Sequence, residues 1–269
     1  MKLAAVAFRN IRRNRRRSLL SGLAIALSTL FITFMFSLIA GVMRDYRSNV
    51  ERFLTGHVRL RHREYDANEQ LNPLHLSVPE YEKLVARLEA ERGVRAVAPR
   101  IQFATAIYRE ERTYHGMGLG VDFTREQELI HVQESLVAGR LPRMGTKELL
   151  LAGGLAEELG AVSGSKLTLL GKNKYFGLSG MTFTVSGIVR LSVPAFNRSF
   201  FLLPIDTAGR FLKMEGEASE VLVLLEDPER APAFADLTGR LLAELGREDL
   251  MAEPWSSVGV WYSLMRLVD

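Results

Sequence analysis

LLSGLAIALSTLFITFMFSLIAGVM, residues 19–43, contains no charged side chain. Twenty-five residues at a rise of about 1.5 Å each make a helix long enough to cross a bilayer core of roughly 30 Å. The hydroxyls of Ser21, Ser28, Thr29, Thr33 and Ser37 can bond back to the helix's own carbonyls, which makes them tolerable in lipid. Gly22, Ala26, Ser37 and Gly41 leave places where another helix could approach closely. Two other readings compete with a membrane span. A signal-peptide core is shorter, about 7–15 residues, and is followed by a small-x-small cleavage site. This run is longer and ends Gly-Val-Met-Arg-Asp. A buried core helix seldom stays apolar all round for this length.

The flank fixes the direction. Residues 1–17 carry Lys2, Arg9, Arg12, Arg13, Arg15, Arg16 and Arg17 and no acid, a charge of +7. The whole chain is +4, so residues 18–269 are net −3 and the basic character belongs to the tail. The positive-inside rule keeps this tail cytoplasmic and puts everything after Met43 across the membrane. Leu3, Val6, Ala7 and Ile11 fall at helical spacing beside arginines, the pattern of an amphipathic helix lying in the inner-leaflet interface. A nucleic-acid arm is the competing reading of the arginines; next to such an apolar run it is set aside, and no nucleic-acid partner is expected.

Without the tail and anchor about 225 residues remain, enough for one large domain or two small ones. The chain has no cysteine, which excludes a disulfide scaffold and a thiolate metal site.

Beyond the anchor, Tyr46, Val50, Phe53 and Leu54 continue the helical stripe as a stalk that Gly56 ends. His57 to Tyr65 alternates as a half-buried strand. Ser77-Val78-Pro79-Glu80 has the form of a capping box, opening a helix whose apolar face is Tyr81, Leu84, Val85 and Leu88. Residues 94–108 read as extended structure broken at Pro99, and 114–121 as a glycine-rich strand, with Asp122 opening a helical turn. From Val137 onward short strands alternate with tight loops: strands at 148–151, 166–170, 181–189 and 200–203, a short helix at 154–159, and a helix from Pro204 to about Leu212. Residues 171–180 read as a polar loop. Val221 to Leu225 is a continuous apolar run, as for a strand covered on both faces. A helix follows with Phe234, Leu237, Leu241 and Leu245 on one face, then a strand at 250–254.

The fold class is therefore α+β: one N-terminal transmembrane helix with a stalk, then a two-subdomain extracytoplasmic α/β domain. A βαβ-type subdomain holds an inserted β-rich subdomain at about 120–215. The divisions are 1–17 (basic amphipathic segment), 18–43 (transmembrane helix), 44–55 (stalk), 56–255 (outer domain) and 256–269 (approach to a second membrane helix).

No constellation supports catalysis, and no catalytic, cofactor-binding or metal residue is assigned. Gly164-Ser165-Lys166 and Gly171-Lys172 lack the partner glycine of a phosphate loop. His57, His62, His75, His115 and His131 are scattered, and Glu157-Glu158 reads as an exposed helix face.

Gly139-Arg140-Leu141-Pro142, Glu148-Leu149-Leu150-Leu151, Ala156 with Leu159-Gly160, and Gly164 with Lys166-Leu167-Thr168-Leu169 follow one another in a pattern that resembles the periplasmic core domain of ABC transporter permeases of the MacB, FtsX and LolC/LolE type. Phe183 to Val189 and Phe201-Leu202-Leu203-Pro204 with Asp206 and Ala208 resemble its next strand and strand–helix, and Ala7 to Asn14 its cytoplasmic approach to the first membrane helix. The order and spacing carry the resemblance rather than any single motif. It implies a non-catalytic inner-membrane permease subunit of mechanotransmission type, exporting lipoprotein, lipid or peptide. The implied partners are a separate ABC ATPase subunit, a second permease copy or paralogue, the lipid bilayer, and a periplasmic or outer-membrane protein. Family members carry four membrane helices with the outer domain between the first two, so this chain is expected to be a fragment, a truncated reading frame or one part of a split permease. The loop 191–198 lacks the acidic residue that members often carry there. A membrane-anchored sensor or scaffold without transport is the alternative.

Overall fold

The computed structural model describes residues 13–50, 55–110, 112–191 and 193–257, with the side chains of 42–50 left out. The amphipathic stretch Leu3–Ile11, the stalk residues Phe53 and Leu54, and residues 258–269 therefore lie outside the described residues. Helix α1 (Arg15–Val50) runs unbroken through the apolar stretch and into the stalk. Ser28 and Thr29 donate to the carbonyls of Ala24 and Ile25 at 2.8 and 2.9 Å, as lipid requires of them. None of its most apolar window is buried. α1 and the domain that follows it are two separate units.

The domain comprises β1 (Val58–His62), α2 (Tyr65–Asn68), β2 (Val78–Pro79), α3 (Tyr81–Glu89), β3 (Val94–Arg109), β4 (Arg112–Val121), α4 (Phe123–Ile130), β5 (Leu136–Gly139), β6 (Glu148–Ala152), α5 (Gly153–Leu159), β7 (Lys166–Lys172), β8 (Leu178–Val189), α6 (Pro194–Ser199), β9 (Phe200–Pro204), α7 (Ile205–Leu212), β10 (Glu217–Ala218), β11 (Glu220–Leu225), α8 (Ala231–Glu244) and β12 (Leu250–Pro254). Hydrogen-bonded neighbours run β12-β1-β11-β3-β4-β9-β6-β8-β5, and β2 pairs with β10 apart from them. β7 pairs with both β3 and β8, so β3-β4-β9-β6-β8-β7 closes on itself as a six-stranded barrel. Closure removes the exposed edges that an open sheet would present. β4–β9 and β6–β8 are its parallel pairs.

Phe103, Phe183, Phe201 and Phe211 fill the barrel, with ring centroids 5.8–6.0 Å apart along the chain of contacts. The glycines of β4 explain how they fit. Gly116, Gly118 and Gly120 alternate, so they share one face of the strand. A Cβ on Gly118 would lie 2.2 Å from the Phe103 ring, one on Gly116 2.7 Å from Ile107, and one on Gly120 2.5 Å from Ala208. The glycine-rich strand is a close-packing surface. Outside the barrel, α3 and α8 cover one face of β12-β1-β11-β3, burying Val58, Leu60, Val221 and Val223. α4 covers the other face over Ala98, Val121, Leu150 and Leu222. β11 is thus covered on both faces, as its apolar run predicts.

Several local expectations are corrected. Ser77 caps no helix: its hydroxyl donates to Glu217, and Val78–Pro79 is a strand paired with β10. The residue before α3 is Glu80, with φ +51° and no side-chain cap. β3 is not broken at Pro99, which pairs with Val221 of β11; β4 pairs with β3 only from Arg100 onward, so one side of Pro99 carries no ladder to interrupt. The polar loop shrinks to 173–177, where the Asn173 side chain accepts from the amides of Tyr175 and Gly177 at 3.0 and 3.1 Å. The loop 191–198 contains α6, with Pro194 in its first turn. In α8 the buried face is Ala231, Phe234, Ala235, Thr238 and Leu242, and Leu237 and Leu245 are exposed.

Candidate functional site

The candidate site is the start of the domain, where β1 pairs with β11 and β12. Gly56 turns the backbone with φ +60°, and a Cβ there would lie 2.9 Å from the Val223 carbonyl. That combination needs glycine. His57 is then stitched to β11 twice: its amide donates to the Val223 carbonyl, and its Nδ1 accepts from the Leu225 amide, both at 2.9 Å. β1 follows, between β11 and β12. β12 runs antiparallel to it with Val58 opposite Pro254, and the Trp255 amide donates to the His57 carbonyl at 3.0 Å. The strand that leads in from the membrane helix and the strand that leads out after Pro254 are therefore hydrogen-bonded neighbours.

β1 is not half-buried. Val58 and Leu60 point into the helical layer, while Arg59 and Arg61 are buried on the opposite face. Arg59 reaches Asp66 and Glu253, each at 3.4 Å, and so ties β1 to β12 and to α2. Arg61 pairs with Asp66, lies 3.7 Å from Glu69, and stacks 4.9 Å from the centroid of the Tyr65 ring. The pattern continues across the sheet. Glu220 stands opposite Arg61 in register, Arg100 stands opposite Glu220, and Arg100 is paired with the fully buried Glu126. Burial, and then the neighbouring charge of Arg59, lower the pKa of Arg61. Burial, and then the charge of Glu220, push the Tyr65 phenol above its ordinary value. Among the described residues, Nε of Arg59 and Nε of Arg61 are buried without a hydrogen-bond partner.

This is an arrangement for holding strands in register. Arg100–Glu126 is buried on both sides, and removing one member of such a pair costs about 3–5 kcal/mol because the other charge is left uncompensated. Two strands so connected resist sliding or peeling apart. Among the described residues no three histidine, aspartate or glutamate side chains are grouped as a metal site requires. The motifs singled out in the sequence are not brought together. Glu157 and Glu158 are exposed on α5, Gly164 sits in a turn at φ +90°, and Lys166 is exposed at the start of β7. The periodic pattern His-Val-Arg-Leu-Arg hid the burial of Arg59 and Arg61. The signal that could have exposed it is the supply of acids close by, Asp66 and Glu69.

The MacB-like periplasmic core domain model matches residues 18–240. A lipoprotein-releasing system transmembrane protein, LolC of Neisseria meningitidis serogroup B, is 25% identical over 185 residues, covering 66% of this chain and 44% of its own length. The chain thus spans under half of that curated relative. The fold is also that of solved structures. The periplasmic region of MacB from Actinobacillus actinomycetemcomitans has a TM-score of 0.56 at 13% identity, covering 82% of this chain and 95% of that one. The extracellular domain of the noncanonic ABC-type transporter YknZ from Gram-positive bacteria has a TM-score of 0.54 at 16% identity, covering 73% and 98%.

Proposed function

Because the chain belongs to the MacB-like periplasmic core domain family, we propose that it supplies the first membrane helix and the outer domain of an ABC transporter permease. ATP is hydrolysed by a separate subunit. The basic tail stays in the cytoplasm, α1 crosses the membrane, and residues 56–255 work on the far side, with about 120–215 as an inserted subdomain that completes the barrel with β3 and β4. Two copies, or one copy and a paralogue, form the working unit. The LolC relative is named for lipoprotein release, which favours lipoprotein over free lipid or peptide as the cargo. A periplasmic or outer-membrane protein receives it.

The observation that carries this reading is the pairing of β1 with β12 directly beyond the apolar helix. A movement of the helix reaches the domain through β1. The neighbouring strand and the part-buried Arg59–Glu253 contact convert a pull on one strand into displacement of the whole sheet rather than local peeling. The role is mechanical and needs no catalytic group in the domain.

The test is co-purification of the full-length permease with an ATPase subunit, followed by reconstitution and measurement of ATP-dependent lipoprotein release. Reporter fusions at Met1 and within the domain fix its side of the membrane. Release that requires both the domain and ATP supports the proposal. A domain on the cytoplasmic side, or ATP-dependent release that persists when the domain is deleted, overturns it.

A further inference from the structure

Helix α8 carries more leucine than the core uses. Leu237 is 40% exposed, Leu245 is 55% exposed and Leu241 is only partly buried. They recur every four residues, and Leu237 and Leu241, with the fully buried Leu88 of α3 beneath them, line a groove of about 460 Å³ between α3 and α8. Four charges rim it. Arg87 of α3 and Glu91 just past its end pair with each other at 3.4 Å. On α8, Arg240 and Glu244 are both exposed and make no ion pair among the described residues. The rim is thus neutral overall, with one unpaired charge of each sign a single helical turn apart.

We propose that this groove is where the outer domains of two copies of this chain meet, the α8 helices packing antiparallel about a two-fold axis. A two-fold interface must be self-complementary: if residue i meets j, then j meets i. Arg240 and Glu244 satisfy this, since antiparallel helices bring Arg240 of each copy beside Glu244 of the other. The leucines at one-turn spacing interleave between them as ridges into grooves. The charge balance also argues against other occupants. A polyanion or an anionic lipid surface would be drawn to a rim of a single positive sign. Two helices per copy make a small contact, below the roughly 1,200–2,000 Å² of a stable free-standing interface. Anchoring both copies in one membrane raises their effective concentration and makes a weak contact sufficient. The inference rests on the dimeric reading above and names the surface through which the outer domains touch.

The absence of cysteine gives a clean test in the full chain in membranes. Leu241→Cys, which the pairing of Arg240 with Glu244 places one residue from the two-fold axis, is expected to give a covalent dimer when treated with a short bismaleimide. Val162→Cys, at a residue 64% exposed on the turn before β7, is expected to give none. In the Leu241→Cys background, Arg240→Glu should lower the yield roughly tenfold, because the like-charge contact occurs twice, and adding Glu244→Arg should restore it. Equal cross-linking at 162 and 241, or a yield indifferent to Arg240→Glu, overturns the inference. Light scattering of the detergent-solubilised chain reports dimerisation independently. A dimer by scattering with position 241 silent rejects this surface alone, and a monomer by both measurements rejects the dimeric reading as well. Matching circular dichroism melts confirm that each variant is folded.

Discussion

At Gly118 a single hydrogen atom stands where any side chain would strike the centre of the barrel. The Phe103 ring that occupies the space is fully buried and packs on Phe201 and Phe211. Gly118→Ala is therefore expected to destabilise the domain by about 3 kcal/mol, the upper part of the usual overpacking range. Urea unfolding measures it, and a loss under about 0.5 kcal/mol would mean that the ring moves aside freely. Reducing the ring with Phe103→Leu should recover part of the loss. Tyr65 gives a second test, on pH. Burial and Glu220 raise its pKa above the ordinary 10.0, so the folded state keeps the phenol neutral while the unfolded chain ionises it. The stability this contributes is fully present below pH 10 and is lost as pH rises toward the folded-state value. Tyr65→Phe should flatten the alkaline limb of the stability profile and leave the profile near pH 7 unchanged in slope; an unchanged alkaline limb would contradict the burial of the phenol. At this scale the sequence is legible where apolar residues are concerned and opaque for charge. Leu149, Leu151, Leu155, Leu159, Leu167 and Leu169 are all buried in one cluster, as their spacing indicates. Arg59 and Arg61 follow the same alternation as surface residues, and it is the fold that sets their partners, Asp66 nearby and Glu253 on β12, beside them.

Elements were readable where a local signal had no rival. Asp122 caps α4, its carboxylate accepting from the amides of Thr124 and Arg125. Gly139, Gly160 and Gly164 adopt φ of +79°, +62° and +90° in the turns where their positions call for it. The Ser77–Glu80 signal failed because a strand partner, β10, competed for the same backbone, and Glu217 took the serine hydroxyl. In α8 the helix is right and its face is wrong: leucines at 237, 241 and 245 outline an amphipathic stripe, but the smaller Ala231, Ala235 and Thr238 let the helix sit close on the sheet. Periodicity identifies that an element has an apolar side without saying which side the core takes. The short helix α5 tests how far such elements depend on packing. It has seven residues and no side-chain cap, too few to be stable alone. Leu159, at its last turn, is 5% exposed. Leu159→Ala should cost on the order of 2–5 kcal/mol in chemical denaturation. A change under about 0.5 kcal/mol would place the leucine in a site that collapses without loss.

For the whole molecule, closure of the barrel depends on pairings between strands far apart in sequence, such as β3 with β7 and β4 with β9, and no local pattern encodes them. What the sequence does encode is the order of parts: a basic tail, an apolar helix that continues to Val50, and a domain whose first strand begins at Val58. That order makes a mechanical claim testable. If movement of α1 drives the domain, the helix must act as a rod from the membrane to its end. No proline interrupts residues 44–55, and no glycine intervenes between Gly41 and Gly56. A proline inside a helix removes a hydrogen bond and clashes with the preceding turn, at about 3 kcal/mol or more. Ser48→Pro, within the described helical backbone, is therefore expected to lower transport per ATP hydrolysed in the reconstituted permease–ATPase complex while the domain stays folded by circular dichroism. Ser48→Ala should leave the ratio unaltered, since alanine is at least as good a helix former as serine. Equal coupling in the proline variant and the wild type would make the segment a passive tether. The domain would then act as a membrane-anchored scaffold, and the buried contacts of Arg59 and Arg61 would serve folding alone.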